Sequence, residues 1–193
     1  MPGTADELMT MFARINPSLD AVVREGYGEL IEAAFRGKLE QWTATPRGLI
    51  ALILVIDQFP RHAFRGTARQ YEGDERGVEL SLRALDAGWD REMHFLERTF
   101  LIMPLAHAEN VELQQRCVVE SDRNSAEAPE SIGWFREIGP SQARKYLDVI
   151  ERFGRFPHRN EMLGRASTAE ELEFLETWAE RQPPDALRAR GLA

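Results

Sequence analysis

Along most of this chain apolar positions recur every three or four residues, the period of a helix buried on one side. Ala143, Tyr146, Leu147, Ile150 and Phe153 share one face of a segment that Ser141 opens and Gly154 closes, glycine being free to take the positive φ of a left-handed stop. Val78, Leu82 and Leu85 form a second stripe between a candidate cap at Asp74 and a stop at Gly88. Leu172, Leu175 and Ala179 form a third. Overlapping capping boxes, Ser167 with Glu170 and Thr168 with Glu171, open it, and Pro183-Pro184 end it. Ser18 predicts the cap of a helix running to about Arg36 with Gly37 as its stop, and Asp90 opens "REMHFLERTFLIM", which Pro104 ends.

One segment departs from this period. "LIALILVI", Leu49 to Ile56, is a continuous apolar run of eight residues, far short of the ~20 that a membrane-spanning helix requires. Its β-branched content suits a buried strand as well as a buried helix. No second run of that kind exists for a strand to pair with, so it reads as the most buried helix of an all-α fold. "ESDRNSAEAPES", Glu120 to Ser131, is polar and interrupted by Pro129, and reads as a surface loop. There is no repeat with a fixed period of ~34 to 47 residues and no tetratricopeptide signature. The expectation is one all-helical domain over residues 1–193.

Composition narrows the function. With 24 Lys and Arg against 32 Asp and Glu, the net charge is -8, the wrong sign for a nucleic-acid backbone. Cys117 is the only cysteine, so no intrachain disulfide forms. "MPGTADELMTMF" has neither the basic start nor the apolar stretch of a signal peptide, and the expected setting is the cytoplasm.

The chemistry gathers in two Phe-Pro segments, "DQFPRHAFRG" from Asp57 and "GRFPHRNEMLGR" from Gly154. Asp57 stands at the end of the apolar run, where a helix's partial negative charge disfavours a carboxylate that has no cation nearby. Pro60 is expected to end that helix, so that Arg61, His62 and Arg65 leave on a turn. The second segment supplies Arg152, Arg155, His158 and Arg159, and Phe59 and Phe156 would anchor both by burying their rings. On one reading Asp57 forms a structural ion pair with one or two of these arginines. On the other, the two segments converge and bring more cations than Asp57 needs, leaving a cleft for an anion.

Other constellations carry less. His107 and Glu109 are two apart and would not share a helix face. The four histidines show no metal-ligand spacing, and no metal or cofactor is expected. "GYGELI" lacks the third glycine of a dinucleotide fingerprint, and "GPSQA" reads as a helix start rather than a nucleophile elbow. Cys117 reads as a small buried side chain.

Taken together, "QWTATPRGLIALILVIDQFPRHAFRGTA", "ERTFLIMPLAHAEN" and "RFGRFPHRNEMLGRASTAEELEFL" resemble the bacterial domain-of-unknown-function family 924, over about residues 42–175. The resemblance implies a tetratricopeptide-like helical fold and brings no established reaction. It maps signature positions onto Asp57, Gln58, Phe59, Arg61 and Arg65, then His107 and Glu109, then the run from Gly154 to Asn160. His62 stands where the family usually shows Asn, and Tyr146 where it often shows His. A catalytic role for that second histidine would be missing from this chain.

The functional expectation is a helical domain that binds an anionic small molecule or an acidic peptide end. Arg61, Arg65, Arg155 and Arg159 supply charge, and Gln58, His107, His158 and Asn160 orient the ligand. The alternatives are an enzyme acting on an anionic substrate with His158 or His107 as general acid or base, and a structural module that binds a protein partner without a pocket.

Overall fold

The computed structural model describes residues 17–130 and 133–181, and within them the chain is helical with no strand. The segment Met1–Phe12, Ser131 and Pro183-Pro184 lie outside the described residues. In chain order the helices are α1 (Pro17–Phe35), α2 (Pro46–Ile53), α3 (Phe59–Ala63), α4 (Asp74–Asp86), α5 (Phe95–His107), α6 (Val111–Ala126), α7 (Gly133–Phe153) and α8 (Ala169–Arg181). Short 3-10 turns link several of them, at Glu40–Ala44, Ala68–Tyr71, Trp89–Glu92 and Pro157–Arg159.

The glycine stops at 37, 88 and 154 all have positive φ, at 70°, 72° and 67°. Thr168 and Glu171 form a full capping box, the Glu171 N–H donating to Thr168 Oγ1 at 3.2 Å and the Thr168 N–H to Glu171 Oε2 at 2.7 Å. Ser167 instead accepts from Asn160 Nδ2 at 3.0 Å.

Several boundaries fall elsewhere than expected. α1 already runs from Pro17, a residue suited to a first helical turn, so Ser18 is inside it. Asp90 lies in a 3-10 turn, and His94 caps α5 through a capping box with Glu97. Asp74 is the first residue of α4, after Gly73 at the cap position.

Pro104 is interior to α5, where Gly77 of α4 packs on its ring: a Cβ at 77 would stand 3.3 Å from Pro104 Cβ. Pro140, buried within α7, does not let Ser141 open a new helix. Tertiary packing overrides the ~3 kcal/mol that an interior proline costs. The polar stretch from Glu120 is helical as far as Ala126 because its side chains make buried bonds. Glu120 pairs with Arg116 and Arg123, and Asn124 Nδ2 donates to the Phe95 carbonyl at 2.9 Å. On α8 the buried face is Glu171, Phe174 and Trp178, while Leu172 is exposed.

The run Leu49–Ile56 is the centre of the main core, with Leu49, Leu52, Ile53 and Ile56 at 2% exposure or less beside Ile31, Leu80, Leu101 and Leu105. Each such side chain contributes about 1.5–3 kcal/mol. A smaller core of Val149, Ile150, Phe156, Phe174 and Trp178 seats α8 on α7.

Pro60 does not end the apolar helix. Leu54–Gln58 widens into a π turn closed by the Phe59 N–H on the Leu54 carbonyl, and the chain continues helically to Ala63. Pro60 has no N–H to return to the Ile56 carbonyl four residues back. Gly73 packs on that same oxygen, and a Cβ there would stand 2.0 Å from it. Gly73→Ala should therefore lower stability by at least about 2 kcal/mol, a fall in Tm of roughly 4–8 °C, measured by thermal unfolding followed by circular dichroism.

Candidate functional site

The widened turn carries Asp57 into the interior, where its side chain is wholly buried. Its Oδ1 lies 2.7 Å from His107 Nδ1, at the end of α5, and 3.3 Å from Arg61 Nη1, while Oδ2 accepts from Gln58 Nε2 at 2.5 Å. Arg61 Nη1 also donates to the Asp57 carbonyl at 2.6 Å, and its Nη2 reaches Asp74 Oδ1 at 2.9 Å. The other oxygen of Asp74 takes Arg159 Nη1 at 3.0 Å, and Arg159 Nη2 returns to the His107 carbonyl at 3.0 Å. The two Phe-Pro segments thus meet through one carboxylate. Arg159 is sandwiched, its Cζ 4.6 Å from the ring centres of both Tyr71 and Phe156.

Burial would raise the Asp57 carboxyl, but Arg61, His107 and Gln58 outweigh it and hold it well below the usual carboxylate range. Asp57 is therefore an ionised acceptor, so the bond to His107 fixes that ring's proton on Nδ1.

The other cations are also engaged, which removes the expected surplus of unpaired arginine. Arg65 binds Asp20 through Nε at 2.6 Å and Nη2 at 2.9 Å, beside the His62 Nδ1 contact to the same carboxylate at 2.8 Å. Arg155 is bidentate on Glu171, and Arg152 pairs with Glu170. Glu109 accepts the Phe156 N–H at 2.7 Å and both Arg165 nitrogens, so it fixes the second segment as Asp57 fixes the first. The acids lie as far as 85 residues from their partners, a separation that no local pattern in the chain encodes.

A cavity of 480 Å³ opens beside this network. Gln58, Arg61, Arg65, His107, His158 and Arg159 all line it. Arg155 and Asn160 do not: they turn away to Glu171, which their bonds and the Thr168 N–H hold down to about 2, Arg155 being the largest cause. His62, Gln70 and Tyr71 join the wall. Among the described residues its charged or ionisable walls are three arginines and three histidines, with Tyr71, Tyr146 and Cys117, and no carboxylate faces it; Asp20, Asp57 and Asp74 stand behind the cations. A larger depression of 710 Å³ between α6 and α7 is an open surface hollow of mixed charge.

His158 differs from the other imidazoles. It stacks on Trp178 at 6.0 Å with an interplanar angle of 6°, and it makes no hydrogen bond among the described residues. Its Nδ1 is sealed by protein, which leaves Nε2 as the nitrogen available to the cavity. Burial first, then the Arg159 charge, pushes its pKa down to about 4. Cys117 also lines the cavity, but burial pushes its thiol up to about 12, so it is no nucleophile. No three His, Cys, Asp or Glu side chains among the described residues are placed to hold a metal ion, and no described helix is long and apolar enough to cross a membrane.

Between its ordinary value of 6.5 and about 4, His158 is protonated in the unfolded chain and neutral in the native one. The unfolded state then binds more protons, so stability falls as the pH drops through that window, by up to about 3 kcal/mol. His158→Gln should flatten this slope above about pH 5.5, roughly one unit over the ordinary Glu171 value of 4.5, where Glu171 contributes little, in urea midpoints measured across the range. An unchanged slope would assign the effect to other groups.

No curated protein matches the chain. A solved structure similar to it, that of the protein of unknown function ATU0120 from Agrobacterium tumefaciens, has a TM-score of 0.74 and 33% identity, covering 86% of this chain and 88% of that one. The family model described as a bacterial protein of unknown function, DUF924, matches residues 4–178. That match takes in both Phe-Pro segments, the cavity wall and the acids behind it, and the chain belongs to the bacterial DUF924 family.

Proposed function

We propose that this protein binds a small anionic molecule in the cavity, with Arg61, Arg65 and Arg159 supplying charge and Gln58, His107 and His158 orienting the ligand. The supporting observation is the order of charges. The guanidinium groups form the wall and their carboxylates lie behind them, so an anion in the cavity meets the cations first, at the low effective dielectric of an interior. Paired arginines are also pre-organised, which lowers the ordering cost of binding. Arg65 Nη1 makes no hydrogen bond among the described residues and offers a free donor. The volume lies in the ~300–1,000 Å³ range of small-molecule pockets, which favours a small ligand over an acidic peptide end. The successive helical hairpins around it are read as a tetratricopeptide-like array.

Thermal shift with inorganic phosphate, small carboxylates and an acidic peptide tests this reading. A ligand at a hundred times its Kd should stabilise the fold by about 2.7 kcal/mol, raising Tm by roughly 5–10 °C, and Arg65→Gln should abolish the shift. The absence of a shift with every compound would overturn it.

A second reading is favoured by the Asp57–His107 pair. A buried carboxylate that holds Nδ1–H presents the opposite ring nitrogen as a base, and His107 lines the cavity. On this reading the protein is a hydrolase or transferase acting on a small anionic substrate, with His107 or His158 as the general acid or base. Activity profiling on phosphoesters and acyl substrates should then show a loss of about 10²-fold or more in His107→Ala or His158→Ala. Rates equal to those of the unaltered protein in both variants would remove it.

A further inference from the structure

The cavity is longer than a charged group alone would require, and most of the wall beyond the cations is apolar, with Thr99, Ser121, Asn124, Ser125 and Gln142 among it. On α5 its wall includes the stripe Leu96, Thr99, Phe100, Met103 and His107, with Ile102 and Ala106 beside it, a stretch of twelve residues or roughly 16 Å at the α-helical rise. Two further stripes, Cys117 to Ser125 on α6 and Ile138 to Tyr146 on α7, face it.

The three stripes share one polarity. At one end His107 meets Asp57, and the Tyr146 ring lies 5.5 Å from that of Phe156, next to His158 and Arg159. At the other end Asn124 Nδ2 of α6 bonds the Phe95 carbonyl of α5 at 2.9 Å, and Gly139 of α7 faces Ser125 of α6. The cation cluster therefore lies at one end, and the part of the cavity lined by Leu96, Phe100, Met103 and Ile138 extends away from it. The polar groups along this part are partly engaged with one another: Thr99 Oγ1 donates to the Phe95 carbonyl at 3.1 Å and accepts from Asn124 Nδ2 at 3.2 Å.

We infer that the ligand is an amphipathic monoanion of the fatty-acid class, its carboxylate among Arg61, Arg65, Arg159 and His158 and its hydrocarbon chain lying along α5 between α6 and α7. This rests on the anion-binding reading above and adds the chemistry of the ligand's body. The glycine at 139 fits the role: a Cβ there would meet only Ser125 Oγ, at 3.6 Å, so the absence of a side chain leaves room at the far end rather than answering to crowding.

Isothermal titration of the full chain with straight-chain acids from butanoate to tetradecanoate, below micelle-forming concentrations, tests the inference. Inorganic phosphate and the matched alcohols are run beside them. The expected result is binding that tightens about fourfold per added methylene and then stops once the cavity is full. Gly139→Leu, which fills the far end, should move that limit to shorter chains and weaken the longest acids at least tenfold while leaving butanoate unchanged. Should that variant not fold, Gln142→Phe on the same stripe serves the same purpose. If phosphate and every acid bind equally regardless of length, the hydrocarbon site falls and the anion reading stands. If neither phosphate nor any acid binds, both fall. Alcohols that bind as tightly as the acids overturn the carboxylate end and the anion reading with it, and a length dependence untouched by both variants places the chain somewhere else.

Discussion

The structure depends on one buried negative charge and what is needed to keep it there. Asp57 has no access to water, so an unpaired carboxylate at this place would be protonated or expelled. His107, Gln58 and Arg61 surround it, and Arg61 needs Asp74 in turn, which binds Arg159. Removing one member of such a set leaves another charge buried without its partner, at a cost of about 3–5 kcal/mol. The set joins residues from the π turn, α3, α4, α5 and the second Phe-Pro segment, so it fixes how these elements sit around the cavity. The helix carrying Asp57 ends only at Ala63, whose carbonyl accepts from Arg24 Nε at 3.1 Å. Desolvation, and not a helix terminus, is what Asp57 has to overcome.

The two Phe-Pro segments are alike in letters and unlike in form. Phe59 is helical, with φ -61° and ψ -40°, whereas Phe156 is extended, with φ -88° and ψ 106°. Phe59 precedes its proline inside a helix because the wide turn accommodates it, and Phe156 precedes its proline in the extended conformation that such a position normally takes. They reach the same place by different routes: the first from inside a helix at the core, the second as a loop pinned by Glu109 and Glu171.

The fold class and several boundaries were legible because they rest on local chemistry. Gly37, Gly88 and Gly154 mark helix ends by positive φ, and Thr168 with Glu171 marks a start. What failed were the readings that made Pro60 and Pro104 helix ends and Pro140 a helix start: all three are interior to continuous helical stretches, because neighbouring elements stabilise them there. Of the candidate site, the residues bearing charge were visible, but their partners were not. Asp20 stands out in no local pattern, Asp74 and Glu171 read only as helix-start residues, and all three acquire their part in the site through contacts across the fold. The cavity was equally hidden, since its apolar wall residues follow the same helical period as those of an ordinary core.

Glu171 joins two tasks that are usually separate. The carboxylate that starts α8 is the same one that holds Arg155 and Asn160. The second Phe-Pro segment therefore lacks this clasp until α8, which follows it in the chain, has wound its first turn.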